Sequence, residues 1–216
     1  MRKPFYETPV VQWCTKVSYI IWMNVLWFFC CLPVVTAGAA TAALYRMLMN
    51  LREEKKCSFI EYFKAFAANF KNSTLIWLIL LGCIALLLGF YYGIALCENE
   101  ILRGALLMLF VIAFFLVFIT LVYVFPVTCY FENTVGNTLK NAVAMGASNL
   151  KATIPACALT MIPVLGAIFS LELFLRMLVM WILFAPGLIG YGVIVFLTPV
   201  LEKYAGIAPE QPSELE

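Results

Sequence analysis

Eight cysteines, twelve acidic side chains and no histidine are the groups with which this sequence could do chemistry. Their spacing suits none of the usual reactions. Without histidine, the commonest general base and the commonest zinc and haem ligand are both missing. No CxxC, GxSxG, HExxH or phosphate-cradling loop occurs either. Cys30, Cys31, Cys83 and Cys157 lie in apolar runs, where a thiol packs as a small hydrophobe, and Cys14, Cys57, Cys97 and Cys129 lie near run ends. Glu98, Glu100, Glu132 and Glu172 fall at segment ends, whereas proton-driven transport places its carboxylates inside the membrane. The sequence therefore predicts no catalytic residue, no metal site and no cofactor.

Two quieter groups remain. Asn24 sits within an apolar stretch, where an amide should find a partner on another helix. Pro33, Thr36 and Gly38 interrupt the same stretch and free backbone carbonyls there. Each is read first as packing, with a pocket lined by Asn24, Thr36, Thr41 and aromatic rings as the alternative. The second group is Phe59, Tyr62, Phe63, Phe66 and Phe70, at three- and four-residue spacing and interleaved with Glu61, Lys64 and Lys71. That pattern describes an amphipathic interfacial helix, which either anchors in the headgroups or docks a partner. Phe63, Phe66, Phe70 and Lys71 are the candidate docking residues. Gly89 and Gly93 form a GxxxG, and Gly187, Gly190 and Gly192 put small residues in the last apolar run, all read as helix packing.

The elements that must carry these residues follow from composition. Of 216 residues, 64% are hydrophobic and 12% charged, against about 45–50% and about 25% in soluble domains. No single soluble core would hide that much apolar surface. A net charge of +2, with no basic stretch suited to phosphates, excludes a nucleic-acid partner. About 20 apolar residues span a bilayer as a helix. Thr74–Cys97, Leu102–Val127, Thr153–Leu171 and Met177–Leu201 meet that length. Glu98–Arg103 and Glu172–Arg176 read as tight turns, while Arg52–Ser73 and Phe131–Ala152 read as longer amphipathic connectors.

Val17–Tyr45 is one apolar stretch broken at Pro33, which predicts a helix over Val17–Leu32 and another over Thr36–Leu51. The apolar run is too long for a cleaved leader ending at Ala37-Gly38-Ala39. The second helix carries Arg46, which would cost about 2.5–3.5 kcal/mol at mid-bilayer and should sit near an interface. If that short helix returns through the membrane, nearly all basic residues, from Arg2, Lys3 and Lys16 to Lys203, collect on the cytoplasmic side. Sixteen residues are short for a crossing, so a re-entrant helix covered by its neighbours is the other possibility.

Lys16-Val-Ser18, Lys71-Asn-Ser73 and Lys151-Ala-Thr153 each open an apolar run, as three hairpins entering from one side would, with an interfacial lysine before a capping hydroxyl. The expected architecture is all-α: a polytopic transmembrane bundle of five to six segments arranged as hairpins with amphipathic cytoplasmic connectors. Residues 1–201 form one domain, residues 202–216 a disordered cytoplasmic tail, and both termini lie in the cytoplasm.

Asn24-Val-Leu-Trp27, Leu32-Pro33-Val-Val-Thr36-Ala-Gly38-Ala and Ala42-Ala-Leu44-Tyr45 resemble the opening of the YesL-like family of bacterial membrane proteins. The resemblance continues through Phe63-Lys-Ala-Phe66, Asn69-Phe70-Lys71, Phe125-Pro126, Phe131-Glu-Asn133 and Leu139-Lys-Asn-Ala142. It implies a multi-pass protein of the bacterial cytoplasmic membrane with an accessory role in carbohydrate uptake, and ABC importer subunits as partners beside the lipid bilayer. It supplies no catalytic residue. The expected function is a non-enzymatic accessory or scaffold component; the alternative is a small substrate-binding membrane subunit or stand-alone permease for a neutral solute.

Overall fold

In lipid, backbone N–H and C=O groups find partners only within a helix or a closed barrel. The computed structural model describes residues 9–206, and among them the regular structure is entirely helical. Helix α1 runs Pro9–Cys31, and a 3-10 turn at Val34–Thr36 leads into α2, Ala37–Arg52. Then come α3, Phe59–Ala95, α4, Glu100–Tyr130, and α5, Val135–Ser148. The chain ends in α6, Leu150–Phe169, a short α7, Leu171–Arg176, and α8, Leu178–Ala205. Arg2 and Lys3, and the tail from residue 207, lie outside the described residues.

Four helices, α3, α4, α6 and α8, are long and apolar enough to cross a membrane. The chain is therefore a helical membrane protein. The apolar part of α1, Thr15–Cys31, is shorter, and the 16 residues of α2 reach only about 24 Å, short of the roughly 30 Å hydrocarbon core. Among the described residues there are thus four helices of full spanning length and one shorter apolar helix, against the five to six segments expected.

What α2 lacks in length it makes up in cover. It packs against α1, α3, α4 and α8, and Ala39, Ala40, Ala42, Ala43 and Leu48 are fully buried. Its small side chains let neighbours approach closely: a Cβ built on Gly38 would stand 2.4 Å from the Ser73 carbonyl oxygen and 2.5 Å from the Trp77 Cβ. The α2 helix is the axis of the bundle. The α1–α2, α3–α4 and α6–α8 pairs also pack on one another.

Several expectations need correction. The first connector is not a separate interfacial helix, because Phe59–Ser73 is continuous with the span that follows, in one 37-residue helix about 55 Å long. Its amphipathic turns hydrogen-bond as well as its apolar ones, so helix does not stop where hydropathy does. The cap is accordingly Ser58, whose Oγ accepts from the Glu61 N–H at 3.3 Å. Lys71 and Ser73 lie well inside α3, and Lys16 and Ser18 inside α1; α6 has Asn149 as its N-cap residue, so Thr153 lies in its first turn and the lysine-then-cap reading holds at none of the three sites. There Thr153 Oγ1 shares a 2.7 Å hydrogen bond with the Tyr123 hydroxyl and donates to the Gly146 carbonyl at 2.8 Å.

The expected turn at Glu172–Arg176 is the helix α7, with Arg176 paired to Glu172. The tail begins later than expected, since α8 includes Glu202–Ala205. The Gly89 and Gly93 pair packs on nothing among the described residues, because no atom of theirs lies within 4 Å of a Cβ at either. The glycines of α8 do pack: a Cβ at Gly187 would meet Ile20 and Asn24, one at Gly190 Leu48, and one at Gly192 Leu159. Cys30, Cys31, Cys57, Cys83, Cys97, Cys129 and Cys157 are free thiols. Burial pushes the thiol of Cys57, in the α2–α3 link, above its usual value, which makes it a poor nucleophile.

Candidate functional site

The break between α1 and α2 is closed by the chain's own hydrogen bonds. Thr36 Oγ1 lies 2.6 Å from the Cys30 carbonyl and 2.8 Å from that of Pro33, and Trp77 Nε1 donates to the Val34 carbonyl at 2.8 Å. Thr41 Oγ1 accepts from Trp27 Nε1 at 3.1 Å and donates to the Ala37 carbonyl at 2.8 Å. Asn24 points elsewhere, to α8, where its Nδ2 donates to the Leu183 carbonyl at 2.7 Å. That carbonyl lies three residues before Pro186, and Gly187 gives the amide room. Asn24, Pro33, Thr36 and Gly38 therefore do not converge on one pocket; they hold α1, α2, α3 and α8 together. Asn24→Ala should cost about 1 kcal/mol, read as a lower unfolding midpoint in detergent; an unchanged midpoint would remove its bond to α8 from this picture.

The candidate docking residues divide. Phe63 and Phe70 are 49% and 40% exposed, and Lys71 is exposed beside them. Phe66 is half-buried against the core, its ring centroid 5.5 Å from that of Phe70. Thr74–Ala95 alone supplies about 33 Å of helix, enough for the hydrocarbon core. The exposed phenylalanines thus lie on about 22 Å of additional helix, among charged side chains.

A groove of about 1020 Å³ opens at the same end of the bundle. Arg46 and Asn50 of α2 form one wall and Lys64, Asn69 and Asn72 of α3 another. Tyr130 of α4 and Phe131, Glu132 and Asn133 of the link to α5 close the third. On α3 and α4 these residues lie just outside the apolar runs, which begin at Thr74 and end at Val127. Arg46 Nη1 donates to the Cys129 carbonyl at 2.8 Å, satisfying an orphan acceptor in the last turn of α4. Lys64 pairs with Glu61 at 3.4 Å and Lys55 with Glu53 at 2.5 Å, both in solvent and each worth at most about 1 kcal/mol. Among the described residues, Arg46 and Glu132 form no ion pair.

Residues 20–89 match a family described as a protein of unknown function, DUF624. The matched segment takes in α1 from Ile20, all of α2, and α3 as far as Gly89. No curated protein and no solved structure matches the chain. The match therefore covers the α1–α2 break, the α2–α3 crossing, the exposed phenylalanines and two of the three groove walls.

Sequence reasoning placed Arg46 near an interface but did not connect it to Asn50, Asn72 or Tyr130. Each of these is an ordinary polar helix end by itself. Their only joint signal was that Asn69 and Phe131-Glu-Asn133 both stood among the residues of the family resemblance.

Proposed function

We propose that the chain is a non-enzymatic accessory or scaffold subunit that docks a partner on the exposed aromatic turns of α3. One observation carries this reading. Most interior polar groups are engaged by the bundle itself, with Asn24 Oδ1, Ser73 Oγ and Thr74 Oγ1 the buried exceptions among the described residues, whereas Phe63, Phe70 and Lys71 are left outward on helix that exceeds the span. An aromatic stripe among charges, outside the apolar run, gains most by burial against another protein. The partner proposed is a carbohydrate importer of the ABC type, and that part rests on the YesL-like resemblance alone. The bacterial cytoplasmic membrane, with the basic α2–α3 link and both termini in the cytoplasm, completes the proposal.

The test is capture of importer subunits by the tagged protein and by the combined Phe63→Ala and Phe70→Ala variant. Loss of two exposed anchors should weaken the complex roughly tenfold or more and leave the unfolding midpoint in place. Phe66 is unsuitable because its half-buried ring also supports the core. Undiminished capture by the double variant would remove the α3 face from the interface.

A further inference from the structure

The groove meets α3 chiefly on the side away from Phe63 and Phe70, although its Lys64 shares a face with Lys71. At 3.6 residues per turn, Phe63 and Phe70 lie close to half a turn from Glu61 and Asn72. It therefore needs its own explanation.

Its chemistry is uneven. Glu61 offsets Lys64, and Glu53 offsets Lys55. Arg46 has no carboxylate and spends one N–H on the Cys129 carbonyl, out of five in a planar fork. That fork matches the oxygens of a phosphoryl group. Around it, the amides of Asn50, Asn72 and Asn133 supply both donors and acceptors. Asn69 gives Nδ2 to the Ala65 carbonyl at 3.1 Å, which leaves its Oδ1 as an acceptor. Glu132, on the rim and without a cation, adds acceptors suited to hydroxyl groups. The groove lies on the polar side of the points where the apolar runs of α3 and α4 end.

We infer that this groove binds a polyol phosphoester, with Arg46 holding the phosphoryl oxygens and the asparagine amides and Glu132 holding the hydroxyls. Two sources share that chemistry: the headgroup of phosphatidylglycerol and a free ester such as glycerol 3-phosphate.

The experiment uses the full chain in lipid nanodiscs. In phosphatidylcholine discs, titration calorimetry with glycerol 3-phosphate tests the free ester. In discs containing phosphatidylglycerol, native mass spectrometry after release tests for a retained lipid. Binding in the first arm assigns a soluble ester, and retention in the second without binding in the first assigns the headgroup. In either arm Arg46→Gln should weaken binding roughly 10- to 100-fold, with Arg46→Lys recovering part of it. Because Arg46 also caps α4, Asn72→Ala serves as a second variant. It is an exposed position, and its loss should weaken binding several-fold without lowering the unfolding midpoint. Binding of neither probe, or equal binding by wild type and all of these variants, overturns the inference. The docking proposal is untouched by that failure, since its variants lie on the other face.

Discussion

Gly38→Ala is expected to destabilise the bundle by about 3 kcal/mol, at the upper end of what one added methyl does in a packed core. The new Cβ would stand 2.4 Å from a backbone oxygen of α3 and 2.5 Å from the Trp77 Cβ, and neither atom can swing aside. The α2–α3 crossing must open instead, and α2 is the helix on which α1, α3, α4 and α8 all rest. The unfolding midpoint in detergent or bicelles reads the effect. Gly89→Ala is the matched control, because its Cβ meets nothing within 4 Å. There the better helix propensity of alanine should leave stability unchanged or raise it by about 0.5–1 kcal/mol. Equal midpoints for the two variants would mean that α2 and α3 do not cross this closely.

Tyr62→Ala should cost still more, about 3–5 kcal/mol, as for other fully buried aromatics. Tyr62 is 0% exposed although it lies in a stretch whose sequence reads as an interfacial anchor. Its hydroxyl donates to the Ala40 carbonyl at 3.3 Å, and one turn earlier the Phe59 ring stacks on Trp22 at 4.7 Å. The beginning of α3 is thus fastened to both α1 and α2. Tyr62→Phe keeps the packing and gives up only that long hydrogen bond, so a loss of about 1 kcal/mol or less is expected. A small effect of Tyr62→Ala would return these turns to the lipid headgroups.

The apolar spans were legible because an uninterrupted run of that length has only one use in a protein. The break at Pro33 was legible because proline cannot continue a helix. Helix starts were harder. Hydropathy marks where lipid begins, not where hydrogen bonding begins, so α3 started fifteen residues before Thr74. A local signal existed in Ser58 followed three residues later by Glu61, the pattern of a capping box.

Small residues misled for a related reason. Glycine permits close approach but does not reveal which neighbour takes it up: Gly187 and Gly190 pack, and Gly89 and Gly93 do not. Asn24 needed a partner in another helix, yet Leu183 is 159 residues away and only the fold brings them together. The groove was least visible of all, because its walls come from three helix ends and none is distinctive alone.

Purification of the tagged protein from its native host in mild detergent, with identification of whatever accompanies it, tests the central claim most directly. A docking subunit should bring down importer permease or ATPase subunits in stoichiometric amounts, and should lose them in the Phe63→Ala and Phe70→Ala variant. Isolation of the chain alone after gentle extraction, with a neutral solute held inside the bundle, would contradict that claim and make the protein a binder or permease in its own right.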